Sequence, residues 1–262
     1  MKFALGVEYD GSLYHGWQFQ KEVSSIQGEL EKALSYIANH KVNVICAGRT
    51  DAGVHSTSQV VHFRTFSIRS ERSWTIGVNS YLPNNITVLW IKEVSEYFHA
   101  RYSALSRTYR YIIYNHVFRS SILENKILNF HKKLDVDNMN KAGQYLVGEH
   151  DFTSFRGSFC QSFTPYRKIT HFQVTRINHF VIIDVTANAF LYHMVRNIVG
   201  CLLDIGTHKR KINWIVSVLN LKNRQATGSI TAKAQGLYLV SVDYPTYFNI
   251  PRLPLGPLFF QN

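Results

Sequence analysis

Apolar and polar residues alternate in short runs rich in β-branched and aromatic side chains. This pattern predicts strands over about residues 3–9, 42–46, 59–66, 86–94, 107–115, 168–178, 180–186 and 237–244. RTYRYIIYN (107–115) shows the composition most plainly. A second period appears at 25–38, where Ile26, Leu30, Ala33, Leu34 and Ile37 share one face of a helix. Ser24, with Gln27 three residues on, reads as a capping box for it. The same period predicts helices over 71–81, 136–148, 190–205 and 212–222, the 136–148 helix capped by Asp135 or Asp137. Residues 1–95 thus run β-α-β-β-α-β, and residues 107–244 run β-α-β-β-α-α-β. Each order is that of a split βαβ, ferredoxin-like unit. The fold class expected is α+β, with a half over 1–100 and a second over 101–262, divided in the stretch 96–106. The Pro-rich apolar tail PRLPLGPLFFQN (251–262) is expected to pack on a surface or a partner.

Composition narrows the classes. The chain has 262 residues, 45% hydrophobic and 14% aromatic, enough for a sizeable core and unlike a disordered segment. The best apolar helix candidate contains His193 and Arg196, which argues against a membrane span. Three well-separated cysteines, Cys46, Cys160 and Cys201, make neither a disulfide scaffold nor metal-ligand spacing, and indicate a soluble protein of a reducing compartment. The pairs His55/His62 and His193/His208 also lack metal-ligand spacing. Twenty-nine Lys and Arg against seventeen Asp and Glu give a net charge of +12, which favours a polyanionic partner. The cations are scattered over strands and loops, so no basic amphipathic helix points to a membrane surface.

CAGRTDAGVH (46–55) stands out, with Arg49 and Asp51 set between Gly48 and Gly53 and flanked by apolar runs. Asp and Gly are ordinary turn residues. The same residues also suit a carboxylate with a cation beside it.

Five motifs carry a resemblance: AGRTDAGVH (47–55), RTYRYIIY (107–114), DFTSF (151–155), NAFLYHMVRNIVG (188–200) and GLYLVSVDYP (236–245). In this order, and together with GVEYDGSLYHGWQ (6–18) and GPLF (256–259), they resemble the bacterial tRNA pseudouridine synthase A family over nearly the whole chain. The resemblance implies two RRM-like halves joined into one sheet, the pseudouridine synthase fold, with the active-site cleft between them. It implies a cytoplasmic homodimer acting on the anticodon arm of tRNA, at uridines 38, 39 and 40, without metal or organic cofactor. It makes Asp51 the nucleophile, Arg196 its basic partner, Arg49 the residue that helps extrude the target base and Tyr109 the ring stacked on the uracil. Leu237 is expected to add an apolar wall. The chain departs from the family pattern at STSQ (56–59) and RGSFCQSFTPYR (156–167), stretches expected to touch RNA.

These roles make chemical sense. Turning uridine into pseudouridine breaks an N–C glycosidic bond and makes a C–C bond to the same sugar, with no atom gained or lost. An ionised carboxylate can act as covalent nucleophile, at the sugar C1′ or the base C6. Burial raises a carboxyl pKa and a guanidinium opposes that; Arg stays charged and can bond both oxygens. Arg196, with Met194, Val195, Ile198, Val199 and Leu202 around it, is expected to be partly buried and paired. A base inside an RNA helix has to be flipped out. Arg49 could fill the space it leaves or simply pair with Asp51. Tyr109 could hold the base by stacking, or be a packed strand tyrosine. Arg156, Arg167, Lys168, Lys209, Arg210 and Lys211 are candidate phosphate contacts. The rival reading is a non-catalytic RNA-binding protein of paired RRM-like halves, though no RNP1 string is present. A DNA-binding structural protein lacks any groove-reading motif.

Overall fold

A computed structural model describes residues 1–257. In chain order its main elements are β1 (Lys2–Tyr9), α1 (Ile26–Ala38), β2 (Ile45–Cys46), β3 (His55–Arg64), β4 (Ile86–Glu93), β5 (Ser106–Asn115) and β6 (Leu128–Phe130). Then follow α2 (Val136–Gln144), β7 (Gly148–Asp151), β8 (Tyr166–Ile177), β9 (Phe180–Ala187), α3 (Met194–Gly206), α4 (Trp214–Leu221) and β10 (Leu237–Asp243). The class is α+β, as expected. The chain forms two compact units: Met1–Arg107 with the described residues from Tyr238 onward, and Thr108–Leu237.

In the first unit the strands lie in the order β4-β1-β3-β10, with β2 against the far end of β3. β1 runs antiparallel to both neighbours, Leu5 opposite Val61 and Ile91. β10 joins β3 in parallel, Tyr238 opposite His55. Period-two patterning sends Leu5, Val7 and Tyr9 to the same side as Val61 and Phe63, where Ile26, Leu30 and Leu34 of α1 close the core with Trp74 and Val78. The cap of α1 is Ser25, whose hydroxyl accepts from Gly28 N–H at 3.2 Å, and not Ser24. Ser25 has the extended backbone a cap needs, so the helix begins one residue later than its sequence signal. Asn39, at φ 56°, ends it. The 71–81 segment is helical but includes a π-helical turn at Ser73–Gly77, which buries Trp74.

The second unit orders its strands β5-β9-β8-β7, with β6 beside β5. β8 and β9 are antiparallel, Phe172 opposite Val185 and Val174 opposite Ile183. α2 packs on β8 so closely that a Cβ at Gly143 would meet the Phe172 ring at 2.1 Å. Asp135 caps α2 by accepting from Asn138 N–H at 2.9 Å. α3 begins at Met194, four residues later than its apolar pattern, because His193 takes a left-handed backbone at φ 60°. The expected strand at 42–46 shrinks to two residues, though Val42 and Val44 remain buried. β6 and β7 gave no readable period.

The tail turns back on the first unit. Lys92 Nζ donates to Asn249 O at 2.6 Å, and Gly256 sits so close to Thr57 that a Cβ there would lie 2.4 Å from its Oγ1. The remaining part of the expected tail contact, 258–262, lies outside the described residues.

Candidate active site

Asp51 lies on the turn between β2 and β3, half-buried, with Arg49 exposed two residues before it. The turn closes on itself: Asp51 O accepts from Val54 N–H at 3.1 Å. Gly53 takes φ 76°, a conformation side-chain-bearing residues avoid. Neighbouring segments hold this loop at several points. Tyr9 and Thr50 share a hydroxyl hydrogen bond of 2.8 Å, and Trp17 N–H donates to Thr50 O at 3.0 Å. Gly11 comes so near that a Cβ would lie 2.0 Å from Val54 O.

Gln59 makes the tightest hold. Wholly buried on β3, its amide donates to Gly48 O at 2.6 Å and accepts from Gly48 N–H at 3.3 Å. One side chain thus pins both backbone groups of the residue before Arg49. Ser56, also buried, donates to Leu239 O at 2.9 Å. Two residues of the STSQ stretch therefore turn inward, where the sequence suggested RNA contact. His55 is buried at the loop's exit, 3.0 Å from Asp10 through Nδ1 and stacked on Tyr238 at 4.7 Å. Arg107 is buried too and donates to Ala47 O at 2.9 Å and to Arg101 O at 2.6 Å. Burial pushes the Cys46 thiol up to about 12, although Arg49, Arg101 and Arg107 oppose the shift. That thiol is a core group and not a nucleophile. Sequence reasoning passed over Gln59, Tyr9, Thr50 and Asp10. A polar residue heading the apolar run QVVHF was the one available signal for Gln59.

In the second unit Tyr109 sits on β5, buried, with its ring edge-on to Phe190 at 5.0 Å. Arg110, next along, points the other way and forms a bidentate pair with Asp184 at 2.8 and 2.9 Å. Arg196 occupies the first turn of α3, half-buried as the apolar surroundings predicted. Its Nε donates to Ala232 O at 2.8 Å, and its own carbonyl accepts from Ala232 N–H at 3.0 Å. Burial raises the Tyr111 phenol above its ordinary value, and the Arg196 charge opposes this. Tyr111 also donates to Lys233 O at 2.7 Å. Leu237 is buried at the start of β10.

The basic candidates divide. Arg156 donates to Cys160 O and Ser162 O, both at 2.8 Å. Arg167 is buried and donates to Thr164 O at 2.9 Å, to Tyr166 O and to Ser162 Oγ. These two guanidinium groups staple the loop before β8, several of their N–H groups donating to its carbonyls. Lys168, Lys209, Arg210 and Lys211 are exposed. All three cysteines are free. Among the described residues no three His, Cys, Asp or Glu side chains gather into a metal-binding group, and no helix is long and apolar enough to cross a membrane.

The fold is α+β, and comparison with known proteins gives the class, an enzyme of RNA modification. The family model described as tRNA pseudouridine synthase matches residues 6–103 and 142–245. A protein named tRNA pseudouridine synthase A from Buchnera aphidicola subsp. Acyrthosiphon pisum (strain APS) is 59% identical over 259 residues, 99% of this chain and 97% of the relative. Relatives of the same name are 57% identical in Citrobacter koseri, over 100% of this chain and 96% of theirs, and 56% identical in Aliivibrio salmonicida, over 100% of both. Among solved structures, the archaeal box H/ACA sRNP Nop10–Cbf5 complex aligns at 14% identity and a TM-score of 0.35, covering 77% of this chain and 43% of that one, a likeness on which nothing is built. The chain belongs to the tRNA pseudouridine synthase family, the enzymes that isomerise uridine to pseudouridine.

Proposed function

We propose that this chain converts uridine to pseudouridine at positions 38, 39 and 40 in the anticodon arm of tRNA, with Asp51 as the nucleophile. The observation that carries this is the way the Asp51 loop is held. Gln59, Tyr9 and the backbone of Trp17 fix the residues on either side of Arg49. A plain surface turn needs no such support, whereas a carboxylate that attacks a sugar or a base has to be kept in place.

Arg49 helps extrude the target nucleotide from its stack. Tyr109 lies under the uracil while it is detached, turned and rejoined. Arg196 favours the ionised form of the nucleophile, its orientation set by the Ala232 carbonyl. Leu237 supplies an apolar wall. Because the isomerisation gains and loses nothing, the reaction runs on these groups alone, without a cofactor. The working unit is a cytoplasmic homodimer, supported by the resemblance; sedimentation showing a fully active monomer at micromolar concentration refutes that part.

Asp51→Asn tests the central claim. The change keeps size and turn preference and removes the charge and the nucleophile. Tritium release from C5-labelled uridine in tRNA should fall to background, while tRNA binding and melting temperature hold. A folded, tRNA-binding variant that still turns over overturns the assignment and restores the turn reading. A wild-type chain that binds tRNA but releases no tritium supports the non-catalytic RNA-binding alternative.

A further inference from the structure

We propose that a cleft on the second unit, between α2 and the turn joining α3 to α4, is a phosphate-binding site that holds the RNA backbone away from the reacting nucleotide. The proposal rests on the reading of the chain as a tRNA-modifying enzyme. The cleft encloses about 830 Å³ and is lined by Lys141, Gln144, Arg210, Lys211 and Asn213, among others. Packing brings them together. Asp135 N–H donates to Gly206 O at 2.8 Å, and a Cβ at Gly206 would meet Met139 Sδ at 2.6 Å, so the end of α3 is pressed onto α2. Residues of the segment that follows, 208–213, line the cleft together with residues of α2.

Among the described residues, the lysines and arginine of this cleft form no direct ion pair. Two nearby carboxylates are already occupied: Asp135 lies 3.5 Å from His208, and Asp204 lies 3.1 Å from Lys209. Among the described residues, Lys141, Arg210 and Lys211 have no carboxylate within 4.0 Å, although Asp137 stands one turn before Lys141 on α2. Arg210 is held in place by the Trp214 ring, its Cζ 5.0 Å from the ring centre. Cations past the end of α3 also suit that helix's dipole. The dipole does not explain why a lysine from a second helix opens into the same hollow with amide side chains between. That combination suits phosphodiester oxygens, which take charge from Lys and Arg and hydrogen bonds from Gln and Asn.

The position also fits one RNA substrate. Arg196 and Gly206 are ten residues apart on α3, or about 15 Å along its axis. At roughly 3.4 Å of rise per nucleotide on one strand, that is on the order of four to five nucleotides. The cleft is therefore within reach of the strand that carries the target base.

The test is a salt titration of binding between the full chain and full-length tRNA, using the double variant Lys141→Gln, Arg210→Gln. Each lost phosphate contact should lower the log–log slope by roughly 0.7–0.9. Between 50 and 200 mM salt the wild type should then lose roughly tenfold more affinity than the variant. Lys132→Gln with Lys133→Gln, exposed cations outside the cleft, is the control for general charge. A cleft variant with the wild-type slope, or with a loss no greater than the control's, overturns the proposal even if the wild type makes pseudouridine. Wild-type chain without activity refutes the functional reading instead, and the slopes still decide the cleft.

Discussion

Replacing Gln59 with Leu removes the clamp on the Asp51 loop while putting an apolar side chain of similar bulk in β3. Two hydrogen bonds to Gly48 disappear, at 2.6 and 3.3 Å, together with a long one of 3.4 Å to Tyr9 Oη. Each backbone group left unsatisfied in a buried setting costs about 1–3 kcal/mol. Gly48 is half-buried, so water offsets part of this and the lower end applies to each group. The expected loss is about 2–3 kcal/mol, or roughly 4–12 °C in melting temperature for a chain of this size. The activity effect should be larger. A displacement of about 1 Å in a reacting group can cost on the order of 10²-fold, so kcat should drop by that order. Affinity for tRNA should stay within about twofold, because backbone contacts lie elsewhere. Gln59→Glu is the companion variant: it keeps an acceptor for Gly48 N–H but sets a carboxylate oxygen against Gly48 O. It should also lose kcat with binding intact. The assays are thermal melting, tRNA binding and tritium release on the same preparations. If Gln59→Leu melts with the wild type and turns over within twofold of it, the clamp does not position the loop.

Tyr109→Phe should bind and turn over far better than Tyr109→Ala, since stacking is worth about 1–3 kcal/mol per base; equal turnover by Ala and wild type makes Tyr109 a packed strand residue only. His62 is buried, and its pKa is lowered to about 4, chiefly by burial and further by Lys2, His99 and Arg64. Its folded pKa lies below the unfolded value near 6.5, so the unfolded chain takes the proton first and stability falls as pH drops from 6.5 towards 4, by about 3 kcal/mol from this group. Protonation also ends the bond from Ala100 N–H to Nδ1, and melting of His62→Gln across that range should show a flatter profile than the wild type. Asp184→Asn strips the charge from the bidentate pair with the largely buried Arg110 and should cost about 2–4 kcal/mol in a denaturant titration, with no change in kcat.

Local periodicity determined a good deal by itself. The α1 face of Ile26, Leu30 and Leu34 is buried as its spacing demands, and β1, β5, β8 and β9 fall where alternation put them, because burial against a sheet or helix rewards those periods directly, while β3 starts four residues before its expected position, at His55. The run of five motifs in order named the family and singled out Asp51. Ends of elements depended on backbone conformations that a residue pattern does not encode, such as the left-handed His193 that delays α3 and the extended Ser25 that caps α1. Short β6 and β7 exist through pairing with β5 and β8, and have too few residues to show a period. The supports of the site were decided by tertiary contact alone. Gln59 meets Gly48 across eleven positions, Tyr9 meets Thr50 across forty-one, and Arg196 meets Ala232 across thirty-six. Charge alone marks Arg156 and Arg167 only as cations; the fold is what sets carbonyls of their own loop against them. Side-chain type states what a residue can bond; only the folded chain determines which partner is nearest.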